Sequence, residues 1–149
     1  FILCLYLKSS CINGIKKYII NRRKCRMSEE RLYMLFKKEE QKVSYKENMR
    51  GGQGTIMFNE LLPEKMLNNK GRLFSTITIE KGCSIGFHVH EKEAEIFYVI
   101  EGSLTYNQNN EKKYIISKGD CVYNKEGTGH GVINESDEKA VLLACILFV

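Results

Sequence analysis

With 149 residues, 43% of them hydrophobic and 28% charged, the chain has room for one domain with an ordinary core and little room for a second. The net charge of +5 divides into +8 over residues 1–50 (thirteen Lys/Arg against five Glu) and −3 over residues 51–149 (ten against thirteen). The mildly acidic second part argues against a nucleic-acid groove. Six cysteines at 4, 11, 25, 83, 121 and 145 form no CxxC pair, which excludes a zinc ribbon and a regular disulfide framework, so reduced thiols in a cytoplasmic protein are expected.

In chain order, residues 1–26 are basic and lack any acid. The apolar run Phe1–Leu7 is shorter than the roughly 20 residues of a membrane-spanning helix, and no basic stretch or cleavage site frames it as a signal peptide. A basic surface-binding segment around Lys16, Lys17, Arg22, Arg23 and Lys24 is one reading. The preferred one is non-native or upstream translated sequence, with the natural start at Met27 or Met34. Residues 28–48 are highly charged, with Ser28-Glu29-Glu30 as a helix-start pattern but no sustained apolar face. The expected division is therefore an irregular N-terminal extension over 1–48 and a folded domain over 49–149.

The glycine-rich block Met49–Gly54 reads as a turn, and beyond it the texture becomes that of short strands. Apolar or alternating runs fall at Thr55–Phe58, Leu73–Glu80, Glu95–Ile100, Leu104–Asn107, Lys113–Ser117, Cys121–Asn124, Gly131–Asn134 and Ala140–Val149, with a short helix or turn around Pro63. Turn-forming residues separate them, so the expected class is all-β, an antiparallel sandwich or barrel.

Three histidines are the most informative residues. His88 and His90 stand two apart, so on a strand both imidazoles reach the same face. Glu95 follows across a turn and His130 opens a later strand. Three imidazoles and a carboxylate suit one divalent transition metal (Mn, Fe, Co, Ni, Cu or Zn) and suit Ca or Mg poorly. Taken alone, these residues are equally readable as satisfied core or surface groups.

The surrounding glycines add to them. Gly82, His88, His90, Glu95 and Gly102 keep the spacing of the first cupin motif, and Gly119, Gly127, His130 and Asn134 keep that of the second, with Lys125 where proline is usual. The chain from about Gly71 to Val149 thus resembles small single-domain bacterial cupins. The resemblance implies a jelly-roll β-barrel (the double-stranded β-helix), a metal held by His88, His90, Glu95 and His130, and a homodimer. Lys125 removes a φ constraint from the loop before His130.

Function is more open. The expectation is a metal-binding barrel that takes a small oxygen-donor ligand, as a metal-dependent dioxygenase, a Lewis-acid sugar isomerase, epimerase or decarboxylase, or a non-enzymatic small-molecule sensor. No catalytic residue is assigned. Free carboxylates for proton transfer are Glu91, Glu93, Glu101 and Glu126, of which Glu91 and Glu93 read as solubilising turn residues. Candidate anion-binding cations are Arg72, Lys92 and Lys125. Phe97, which shares strand parity with Glu95, is expected to face the pocket, followed by Val99, and most other aromatics to fill the core. Residues 27–50 are too few for a helix-turn-helix, so neither nucleic acid nor a membrane is expected as a partner.

Overall fold

The computed structural model describes residues 35–149 in full and, before them, the backbone of two short strands. Those strands, β1 (Ser9–Ile12) and β2 (Ile15–Tyr18), pair antiparallel with Ser9 opposite Tyr18 and belong to a separate unit. The expectations for Phe1–Leu7, Ser28–Glu30 and a start at Met27 or Met34 lie outside the described residues. Among the described residues no helix is long and apolar enough to cross a membrane, and Cys83, Cys121 and Cys145 are free thiols.

Residues 35–149 form two antiparallel sheets packed face to face. The larger contains β3 (Lys42–Glu47), β4 (Thr55–Glu60), β5 (Gly71–Ile79), β7 (Glu93–Glu101), β10 (Cys121–Asn124) and β12 (Ala140–Phe148), in the order β10-β7-β12-β5-β4-β3. The smaller contains β6 (Ser84–Val89), β8 (Ser103–Gln108), β9 (Lys112–Ser117) and β11 (Gly129–Ile133), in the order β6-β11-β8-β9. The expected all-β jelly roll is what the chain forms. Two strands lie outside the runs read from sequence: β3, whose Lys-Val-Ser-Tyr-Lys-Glu carries too little apolar content to announce itself, and β6, whose Gly86 interrupts the pattern.

Period-two alternation builds the core. Ile56 and Phe58 on β4, Ile77 and Ile79 on β5, Phe97 and Val99 on β7, and Leu142 and Ala144 on β12 point inward and meet Ile85, Leu104, Tyr106, Ile116 and Val132 of the smaller sheet. Thr55–Glu60 is therefore a strand of the same sheet as β12, paired to β5, and does not cover the outer face of β12. Only Phe97 and Tyr106 of the aromatics expected in the core are buried there; Phe87, Tyr98, Tyr114, Tyr123 and Phe148 are exposed, Tyr98 and Tyr123 because they point to the outer face of the larger sheet.

The turns follow residue chemistry. Asn109 and Asn110 both take positive φ, which fits the right-handed twist of a tight hairpin, and Glu111 N donates to Gln108 O at 2.9 Å to close it. Buried Asn134 staples the β11–β12 connection: its Nδ2 donates to Ile79 O and Glu138 O, both at 2.8 Å, while its Oδ1 accepts from Ser136 N and Oγ. An asparagine here satisfies carbonyls that would otherwise be left without partners.

Candidate metal centre

β6 delivers His88 on its last inward position, and His90 follows one residue past the strand end. Lys92 takes a left-handed conformation (φ 57°) that reverses the chain into β7, where Glu95 is the third residue. β11 lies beside β6 with His130 opposite His88. The turn before His130 is tied down despite Lys125: Thr128 N donates to Lys125 O at 3.0 Å and Gly127 N to His90 O at 2.8 Å. Strand neighbourhood thus brings together residues forty positions apart in sequence.

One donor atom each from His88, His90, Glu95 and His130 lies within 4.8 Å of all the others. The tightest part is a triangle. His90 Nε2 is 3.2 Å from Glu95 Oε2, His130 Nε2 is 3.0 Å from the same oxygen, and the two Nε2 atoms are 3.1 Å apart. His90, Glu95 and His130 are all buried, and His88 is partly so. Two ligand atoms at right angles on bonds of about 2.1 Å stand about 3.0 Å apart, so this donor set fits a transition metal of that bond length.

Surrounding groups orient the rings. His88 Nδ1 donates to Gly86 O at 3.0 Å, which leaves its Nε2 as the lone-pair nitrogen. His90 Nδ1 lies 3.3 Å from Glu93 Oε2, and Glu93 is in turn gripped by Arg72 through Nε (2.5 Å) and Nη2 (2.8 Å). Such outer partners hold a ligating imidazole in one tautomer. His130 Nδ1 is buried without a hydrogen-bond partner among the described residues, so Phe97, with its ring centroid 5.2 Å from that of His130, holds this ring by packing. Below Glu95, Asn124 Nδ2 donates to the Glu95 carbonyl at 3.3 Å and Tyr106 Oη donates to Asn124 Oδ1 at 2.5 Å.

The electrostatics follow. The contact with Glu95 raises the His90 pKa, while desolvation lowers that of His88. Burial pushes the Glu95 carboxyl up, but the bonds from His130 and His90 together outweigh it and keep the pKa below the usual range. Arg72 lowers Glu93 in the same way. Burial raises the Tyr106 phenol.

A cavity of about 250 Å³ opens from the cluster. Phe97 lines it as expected, whereas Val99 is buried in the core away from it. Arg72 is on its wall, but Lys92 and Lys125 are not among the lining residues. Lys46 and Arg50 are, and reading from sequence missed both because they fall in the charged stretch and the glycine turn. Glu93 is not a free turn carboxylate: it is clamped between Arg72 and His90. Asn124 was also overlooked; an amide at inward strand parity opposite Glu95 is the signal that marks it.

The comparisons agree with this geometry. A family model described as Cupin domain matches residues 75–146. An oxalate-binding protein of Thermotoga maritima is 34% identical over 102 residues, which cover 68% of this chain and 84% of the relative. A solved structure of a predicted oxalate decarboxylase from Thermotoga maritima is 32% identical, covering 78% of this chain and all of that one, with a TM-score of 0.74. A putative sugar phosphate isomerase from Acidithiobacillus ferrooxidans, 24% identical over 77% of this chain and 75% of its own, shares the fold with a TM-score of 0.63. Motif, barrel and relatives together place the chain in the cupin superfamily.

Proposed function

We propose that this cupin binds one divalent transition metal through His88, His90, Glu95 and His130 and takes a small dicarboxylate, oxalate or a close analogue, beside it. The observation that carries the reading is the triangle of buried donors at 3.0–3.2 Å. Two imidazole nitrogens turned toward each other and toward one carboxylate oxygen need a cation or a shared proton between them. Nδ1 of His88 and of His90 already face acceptors, which leaves both Nε2 atoms free to ligate. The bound metal would supply a Lewis acid for anionic oxygens. The name of the Thermotoga maritima relative supports oxalate as the first ligand to try.

The chain's own residues favour binding over proton-transfer chemistry. Of the carboxylates considered as bases, Glu91 is exposed, Glu93 is held by Arg72, Glu101 lies 3.7 Å from Lys139 at the far end of β7, and Glu126 accepts from Lys92 N. Glu95, itself a proposed ligand, is the single carboxylate among the cavity-lining residues described. Isomerisation and decarboxylation therefore lack a positioned acid or base here. A metal-dependent dioxygenase is the second reading, favoured by the apolar residues Phe58, Ile77, Ile85, Phe97 and Ile146 on the cavity wall, against which a nonpolar gas can sit. The test is metal analysis of protein purified without a histidine tag, followed by oxalate calorimetry and an O2-uptake screen with catechols and thiols. Substoichiometric metal refutes the reading; oxygen uptake promotes the second reading over the first.

A further inference from the structure

Three cations stand on the cavity wall, and they are not equivalent. Arg72 is neutralised by its two bonds to Glu93. Lys46 Nζ sits 4.5 Å from the ring centroid of Phe58. The guanidinium of Arg50 has no hydrogen-bond or ion-pair partner among the described residues, although it lines the cavity.

The backbone at Arg50 is also unusual. It holds φ 55° and ψ 30°, left-handed values that residues with a Cβ rarely take. Two bonds close the turn, Gly51 N to Asn48 O at 3.0 Å and Gly52 N to Met49 O at 2.9 Å. The turn is then keyed to β6. A Cβ on Gly52 would stand 2.2 Å from Ser84 O, and one on Gly86 would stand 2.1 Å from the carbonyl oxygen of Arg50 itself. Only glycine fits at either place. The same Gly86 accepts the bond that orients His88. One stretch of β6 therefore fixes both the histidine at the inner end of the cavity and the arginine on its wall.

We propose that Arg50 is the specificity-determining residue of this site, selecting ligands that carry a second anionic group, short dicarboxylates, over monocarboxylates. This rests on the metal-and-carboxylate reading above. One carboxylate is taken at the histidine cluster; the fork of Arg50, on a wall that also carries Lys46, donates charge-assisted hydrogen bonds to the other. Charge balance agrees. The lining residues carry three cations, one of them cancelled by Glu93, against the single carboxylate of Glu95, so the wall is positive before any metal is added.

The experiment is calorimetric titration of Zn-loaded protein with oxalate, malonate, acetate and glycolate, with zinc content measured on each sample. Wild type should bind the dicarboxylates at least roughly tenfold more tightly than the monocarboxylates. Arg50→Asn tolerates a left-handed backbone and should keep zinc content while losing about tenfold in dicarboxylate affinity, with monocarboxylates changed less than about threefold. Arg50→Gly, which relieves the backbone, carries the same readout if the Asn variant does not fold, and Arg50→Lys should restore part of the preference. Zinc-loaded Arg50→Asn or Arg50→Gly binding oxalate and malonate as wild type does would overturn the role of Arg50 and leave the site reading intact. Zinc-loaded wild type that binds no carboxylate would overturn both.

Discussion

Replacing Glu93 by alanine isolates the contribution of a residue that holds a candidate ligand without being one. Glu93 stands between Arg72 and His90, and its loss frees the His90 ring to rotate and to exchange tautomers. Loss of an outer partner of a ligating histidine typically costs about 10–100-fold in metal affinity. Here the His90 Nδ1–Oε2 distance is 3.3 Å and that oxygen is shared with Arg72 Nη2 at 2.8 Å. Both facts place the cost at the low end, about tenfold or about 1.4 kcal/mol. The Arg72–Glu93 pair is partly wet, with side chains 35% and 17% exposed. Its loss should therefore lower folding stability by no more than about 1 kcal/mol.

The assay is competition for zinc against a chromogenic chelator at fixed pH. A charge effect has to be separated from a positioning effect, because the deletion also leaves Arg72 unpaired near the metal. Glu93→Gln keeps a neutral acceptor for His90 and should lose less than Glu93→Ala. Arg72→Met alone should change zinc affinity less than about threefold. Adding it to Glu93→Ala should not restore the loss. Affinity of Glu93→Ala within a factor of about two of wild type would refute the positioning argument, and full rescue by Arg72→Met would show that only charge matters.

Other outcomes follow from the same geometry. His88→Ala, His90→Ala and His130→Ala should each lose most bound metal by elemental analysis, and Glu95→Gln should lose less because the amide keeps an oxygen donor; full metal content in the triple-histidine variant would refute the site. Metal should be released as pH falls through about 6 to 5. The sign comes from His90, whose raised pKa lets a proton compete first, while Glu95, held low, stays ionised; retention unchanged between pH 7 and 4 would contradict histidine ligation. On the outer face of the larger sheet, Leu143 pairs with Tyr98 and Cys145 with Ile96, beside Tyr123 and Phe74. Burial of this patch in a two-fold dimer predicts a dimer for wild type by light scattering at micromolar concentration and a monomer for Leu143→Glu; a metal-loaded wild-type monomer would rule it out.

His88, His90 and Glu95 were legible because strand parity and turn spacing are local properties, whereas His130 joined them through the motif resemblance, whose glycines mark the turns. Gly82, Gly102, Gly119 and Gly127 all take positive φ, the conformation their place at strand ends suggests. Long-range facts were not legible. That β11 lies beside β6, putting His130 opposite His88, depends on sheet topology and not on any residue near either histidine. Which face of Ala140–Val149 enters the core is likewise silent in a run without polar residues; the register puts Leu142 and Ile146 inside and Leu143 and Cys145 outside. The Arg72–Glu93 clamp joins strands far apart in sequence, so a charge count could only read Glu93 as solvated.

The division of labour within the chain follows from where these residues lie. The family model begins at residue 75 and contains all four candidate ligands. Six of the thirteen lining residues, Lys46, Met49, Arg50, Phe58, Arg72 and Leu73, precede it. The candidate metal ligands thus come from β6 and the residues just past it, β7 and β11, where motif residues constrain backbone and side chain together. If Arg50 selects the ligand as proposed, ligand choice falls to β3, the Met49–Gly51 turn, β4 and the start of β5. These elements are keyed to the motif strands by Gly52 and Gln53 against β6, by the Arg50 carbonyl against Gly86, and by Arg72 against Glu93. Substitutions of the Lys46 or Arg50 side chain, neither of which holds a candidate ligand in place, are then the ones expected to change which anion is accepted without moving a metal ligand. Such a separation is a physical reason why one fold can host different chemistries.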